Sequence, residues 1–209
     1  MSAVGLFYVG AVLFINAVML LGRMTPRESA PLNLFVGALQ VITPTILIIT
    51  ADGDPALIFA ASGLYLFGFT YLWVGVNGAT GWPGRGLGWF SLFVSASAIG
   101  FAAEAFRADD PAFGVIWLLW SVLWFLFFLV LGLERVELGP FTGIVAGVEA
   151  FLTAAVPAFL ILTGRWESTT TSALVIAAIG LLMLASAGPL ARQFVVVPAQ
   201  PAQPAQPSP

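Results

Sequence analysis

Glu149 is the one ionisable side chain set well inside an apolar run, GIVAGVEAFLTAAVPAF from Gly143 to Phe159. A carboxyl at such depth is costly and points to a task. Two tasks suit it: exchanging hydrogen bonds with a solute on a pathway, or joining helices or subunits through a buried hydrogen bond. Gly143, Ala146, Gly147 and Ala150 around it permit close helix approach, so both readings stand. Glu104, about one turn from Arg107, Asp109 and Asp110, reads instead as a solvated helix end.

Aromatic residues form the second constellation. Phe67 and Tyr71 in FGFTY are four apart, as are Trp120 and Trp124 in WSVLW, and residues four apart lie one above the other on a helix. Trp117, three before Trp120, extends that row. Membrane tryptophans usually gather at the interfaces, whereas this row falls toward the middle of its run, where the indole N–H groups need partners. The row is either plain packing or the wall of a slot. As a wall, facing rings would touch a flat neutral molecule while Tyr71, Thr70 and Glu149 exchange hydrogen bonds with its amide groups. No ring of charges or carbonyl-filter motif of the TVGYG kind is present, which speaks against an ion channel.

The side chains that are missing narrow the chemistry further. The chain has no cysteine, no histidine and no lysine; all seven basic residues are arginines. Thiol chemistry, imidazole metal or haem ligation and a Schiff base with an aldehyde are thereby closed. No cofactor is expected. A net charge of −3 offers no basic patch for nucleic acid, and no second buried carboxylate or nucleophile–base pair stands beside Glu149 to make an enzyme.

The elements that must position these residues are membrane helices. Of 209 residues, 60% are hydrophobic and 8% charged, with a mean hydropathy of +1.02, and the apolar runs are continuous rather than alternating, as a membrane barrel would require. A span needs roughly 20 apolar residues, and seven runs qualify: Val4 to Leu21, Leu32 to Ile49, Ala56 to Val76, Leu87 to Phe106, Ala112 to Leu133, Phe141 to Thr163 and Ser172 to Leu190. Arg23, Arg27, Arg85, Arg135 and Arg192 lie in one set of connections, Arg107 and Arg165 in the other. The larger set should face the cytoplasm, which places the amino terminus outside and, with seven spans, the carboxyl terminus inside. The first run has no basic residue before it and is read as a retained span. Residues 198–209, PAQPAQPAQPSP, read as an extended, mobile tail. LFVGA in the second run echoes LFVSA in the fourth, and Asn16 and Asn77 close the first and third, a faint repeat of a two-helix hairpin.

These motifs resemble the AmiS/UreI family of urea and short-chain amide channels. The likeness runs through LFYVGAVLFINAVML, NLFVGAL, LFGFTYLWVGVN, WFSLFV, IWLLWSVLWF and GVEAFLTAAVPAF, in that order, across residues 5–163. It implies a six-helix bundle over residues 1–165 with its own pore, assembled as a hexamer in the inner membrane. The chain departs from the family in an extra apolar segment, read as an additional transmembrane helix in 166–194, followed by a Pro/Ala/Gln-rich cytoplasmic tail in 195–209. Phe67, Tyr71, Trp120, Leu123 and Trp124 would then form the constrictions passed by urea or acetamide, with Leu6 and Leu13 as pore-facing leucines and Trp117 and Glu149 along the same path. Membrane lipid is the surrounding partner, and a cytoplasmic amidase or urease would keep the gradient inward. Lacking histidine and long outer loops, the chain departs from the acid-gated members, and an ungated or weakly gated pore is expected. The competing reading is a proton-coupled amide transporter with Glu149 as the carrier.

Overall fold

In a computed structural model of the chain, residues 3–194 are described; the Pro/Ala/Gln-rich segment read as a mobile tail lies outside them. All of the regular structure among the described residues is helical. Seven helices are long and apolar enough to span a bilayer: α1 Ala3–Leu20, α2 Pro26–Ile49, α3 Pro55–Thr80, α4 Arg85–Arg107, α5 Pro111–Gly132, α6 Val136–Leu162 and α7 Thr170–Phe194. The protein is therefore a multi-pass helical membrane protein.

Local sequence explains where the helices begin. Thr25 and Glu28 form a reciprocal capping box at the start of α2, which is why that helix opens several residues ahead of the apolar run beginning at Leu32. Asp54 and Asp110 cap α3 and α5 immediately before Pro55 and Pro111, each accepting from backbone N–H groups of the first turn. Such a cap contributes about 1 kcal/mol, and proline suits the first helical position. Gly81, left-handed at φ 76°, ends α3.

Short connections make successive helices antiparallel. All four aspartates, Asp52, Asp54, Asp109 and Asp110, collect at one end of the bundle, here the aspartate end, together with Arg107, Arg165 and Glu167. Arg23, Arg27, Arg85, Arg135 and Arg192 collect at the opposite, arginine end. Three closely packed pairs build the bundle: α2 against α3, α4 against α5, and α6 against α1. The helix α7 lies outside them, on α5 and α6, with Gly180 closing on Leu119.

Two helices leave α geometry. The last turn of α5, Phe128–Gly132, and the middle of α6, Ala150–Ala155, are π turns. The second precedes Pro157, which has no N–H for the turn before it and whose ring crowds the carbonyl four residues back; a wider turn relieves both. Against this bulge packs Gly10 of α1, where a Cβ would stand 2.7 Å from the Ala150 carbonyl oxygen. Glycine is required there by contact, not by backbone angle.

Candidate functional site

Two hollows flank the bundle's aromatic cluster, one toward each end. At the aspartate end, α3, α4 and α5 border an open, largely surface-exposed vestibule of about 620 Å³. Pro55, Phe59, Phe101, Phe113 and Trp117 supply its apolar wall, and Glu104 and Asp110 its carboxylates. Glu104 pairs with Arg107, and Asp110 is occupied by the α5 cap and by the Ser168 hydroxyl.

Toward the arginine end is a cavity of about 30 Å³, measured as space open to the centre of a water-sized molecule. Since about 10–15 Å³ of such space holds one water, it has room for a single small solute. Four helices line it: Leu13 and Asn16 from α1, Phe67, Thr70, Tyr71 and Val74 from α3, Leu87 and Ser91 from α4, and Trp120, Leu123, Trp124, Phe127 and Leu131 from α5. No lining residue is charged. Asn16, Thr70, Tyr71 and Ser91 bring polar groups to an otherwise apolar wall.

Between the compartments stands a cluster of rings. Phe67 meets Trp120 edge-on at 4.8 Å and 81°, and Trp124 at 4.8 Å and 60°. Trp117 meets Trp120 edge-on at 5.0 Å and stacks on Phe101 at 4.7 Å. Edge-to-face and stacked pairs each add about 0.5–1.5 kcal/mol beyond simple burial, so the cluster is a stiff partition. Trp117 borders the vestibule, Trp124 borders the cavity, and Phe67 and Trp120 join them. Gly63 gives Trp117 its space, because a Cβ there would sit 3.2 Å from the indole.

The polar groups of the cavity are held from behind. Asn16 and Asn33 exchange two carboxamide hydrogen bonds across α1 and α2, at 2.9 and 2.7 Å, and Asn33 also donates to the Ser29 carbonyl. This clasp fixes the side chain of Asn16 at the cavity wall. Ser91 donates to the Leu87 carbonyl at 2.8 Å and Thr70 to the Leu66 carbonyl at 2.7 Å, so each hydroxyl has its hydrogen committed and its oxygen free to accept. Trp124 uses Thr70 in this way, donating Nε1–H to Oγ1 at 3.3 Å. Behind α4 and α5, Ser95 and Ser121 each donate to the other's backbone carbonyl at 2.8 Å, locking the helix that carries the tryptophans.

The nine residues singled out from the sequence fall into three positions. Phe67, Tyr71, Trp120, Leu123, Trp124 and Leu13 are brought together around the cavity, and Trp117 closes it off from the vestibule. Leu6 is buried against the same ring cluster but borders neither compartment. Glu149 is completely buried in α6, both carboxyl oxygens lack a hydrogen-bond partner, and neither compartment reaches it. Sequence reasoning passed over Asn16 and Ser91 as site residues. Asn16 carries a usable signal, an amide near the end of an apolar run, but its partner Asn33 reads as an ordinary helix start. Ser91 is a lone hydroxyl in an apolar helix and carries none.

The AmiS/UreI family transporter model matches residues 1–165. A Mycolicibacterium smegmatis protein named as a transporter of amidate substrates is 61% identical over 194 residues, covering 92% of this chain and 91% of its own. The acid-activated urea channel of Helicobacter pylori is 33% identical over 191 residues, 77% of this chain and 97% of its own. A crystal structure of the Helicobacter pylori urea channel superposes with a TM-score of 0.72 at 31% identity, over 80% of this chain and all of that one. The family match ends at residue 165 and α7 begins at Thr170, so α7 lies beyond the matched residues. Over the six helices that build both compartments and the ring cluster between them, the chain belongs to the AmiS/UreI family of transporters.

Proposed function

We propose that this protein is a passive channel for urea or short-chain aliphatic amides such as acetamide. The observation that carries this is the neutral cavity, sized for one small solute and separated from the vestibule only by the cluster of Phe67, Trp117, Trp120 and Trp124. Ring faces admit a flat molecule, and the cavity's hydroxyl and carboxamide groups replace some of the hydrogen bonds that a urea or amide leaves behind in water. Charged solutes find no counter-charge there and pay the full cost of dehydration.

In this reading the six-helix bundle of residues 1–165 is the channel, Phe67, Tyr71, Trp120, Leu123 and Trp124 set the constriction, Leu13 and Trp117 shape its approach, and Leu6 packs behind the rings. The arginine end faces the cytoplasm of the inner membrane by the positive-inside rule, with the amino terminus outside. Six copies form the ring, each with its own pathway, and a cytoplasmic amidase or urease consumes what enters. The named substrates of the relatives, urea and amidates, support this choice of solute.

Proton coupling through Glu149 is not favoured, because the carboxyl borders neither compartment and neither of its oxygens has a hydrogen-bond partner. Liposomes holding the purified protein are expected to equilibrate urea or acetamide rapidly with no proton gradient imposed. Uptake no faster than in empty liposomes overturns the proposal. Glu149→Gln should preserve that passive flux, whereas its abolition would restore the coupled reading. With no histidine in the chain, flux should stay flat between about pH 5 and 8.

A further inference from the structure

The two tryptophans at the constriction donate their N–H groups to hydroxyls on neighbouring helices. Trp124 uses Thr70, which itself lines the cavity. Trp120 uses Thr153 of α6: Nε1–H donates to Oγ1 at 2.8 Å, and the Thr153 hydroxyl in turn donates to the Glu149 carbonyl at 2.7 Å. A hydroxyl has one hydrogen. With that hydrogen committed to the backbone, Thr153 can only accept from Trp120.

Thr153 is completely buried and borders neither compartment, so it touches no solute. It stands inside the π turn Ala150–Ala155, the segment that Gly10 of α1 packs against. The ring contacts of Trp120, with Phe67 at 4.8 Å and Trp117 at 5.0 Å, are both edge-on and tolerate rotation of the indole in its own plane. The hydrogen bond to Thr153 is directional and opposes that rotation.

We infer that Thr153 is a positioning residue for permeation: by holding the Trp120 N–H toward α6, it fixes which edge of the indole stands at the junction of vestibule and cavity and so sets the size limit for amides. This rests on the channel reading above. Released from Thr153, the N–H would turn to the acceptor available inside the pathway, the carbonyl oxygen of the solute, and the ring would no longer keep one width.

The test compares the full-length protein with Thr153→Ser and Thr153→Val in liposomes, reading the ratio of urea to 1,3-dimethylurea permeability by light scattering. Serine keeps the acceptor and valine keeps the shape without it. Thr153→Ser should hold the wild-type ratio, and Thr153→Val should lower it by about fivefold, the factor that corresponds to one ordinary hydrogen bond. Should the valine variant not reach the membrane, Thr153→Ala removes the same acceptor with less bulk and is expected to lower the ratio likewise. An indole N–H vibration assigned to Trp120 by difference against Trp120→Phe should move in the valine or alanine variant and stay in the serine one. A wild-type ratio without the hydroxyl, or a serine variant as permissive as valine, overturns the assignment while leaving the channel reading intact. No urea flux above empty liposomes in the wild-type protein overturns both.

Discussion

The two compartments on either side of the ring cluster are built on opposite principles. The vestibule is wide, open and edged by Glu104 and Asp110, while the cavity is small, closely walled and without charge. In the vestibule the polar groups belong to helix ends, and water can reach them. In the cavity three of the four polar side chains are fixed by a second residue: Asn16 by Asn33, Ser91 by the Leu87 carbonyl, Thr70 by the Leu66 carbonyl. In the proposed channel, selection belongs to the compartment whose groups are held in place.

That contrast can be broken most severely at the partition. Trp124→Ala removes a ring from the cavity side and opens a path past Phe67, so thiourea and other bulkier amides should enter about tenfold faster, which corresponds to about 1.4 kcal/mol of barrier. Solute competition in liposomes reads this directly, and unchanged discrimination would remove Trp124 from the constriction. A smaller effect is expected at the clasp behind the cavity. Asn33→Ala leaves the Asn16 carboxamide without its partner, at a cost near the ~0.6 kcal/mol averaged by buried hydrogen bonds in membranes. Thermal melting in detergent should shift slightly downward, and urea flux should change by more than melting alone explains if Asn16 meets the solute. The smallest effect belongs to the vestibule. Glu104→Gln breaks an exposed pair with Arg107 of the kind that contributes at most about 1 kcal/mol, and urea flux should hold within about twofold, with no change in discrimination. A large loss there would mean that the wide compartment selects after all.

How legible these compartments were from sequence follows the same division. Phe67, Tyr71, Trp120 and Trp124 announced themselves because bulky aromatic rings repeat at helical spacing, and their meeting needed only that α3 and α5 face one another. All seven spans could be read from apolar runs, since the bilayer imposes their length. The ends were less legible: α2 begins at Pro26 rather than Leu32 because the Thr25–Glu28 box makes a helix out of a charged stretch. Thr153 could not be read at all. One threonine in LTAAVP looks like any other until Pro157 widens the turn and α5 brings an indole against it. Glu149 was conspicuous by its charge, yet sequence position could not say on which side of the wall its carboxyl lies, because that depends on the rotation of α6 against α1.

The helix α7 alters the arithmetic of crossings. Six spans return a chain to the side where it began, and seven do not, so residues 3 and 194 emerge on opposite faces of the membrane. A reporter or tether fused beyond Phe194 would report from the face that holds the arginines, whereas one fused before Ala3 would report from the face that holds the aspartates. The six-helix bundle alone could be closed into a ring by a peptide linker between its ends without recrossing the bilayer. With α7 in place that circular permutation is topologically forbidden.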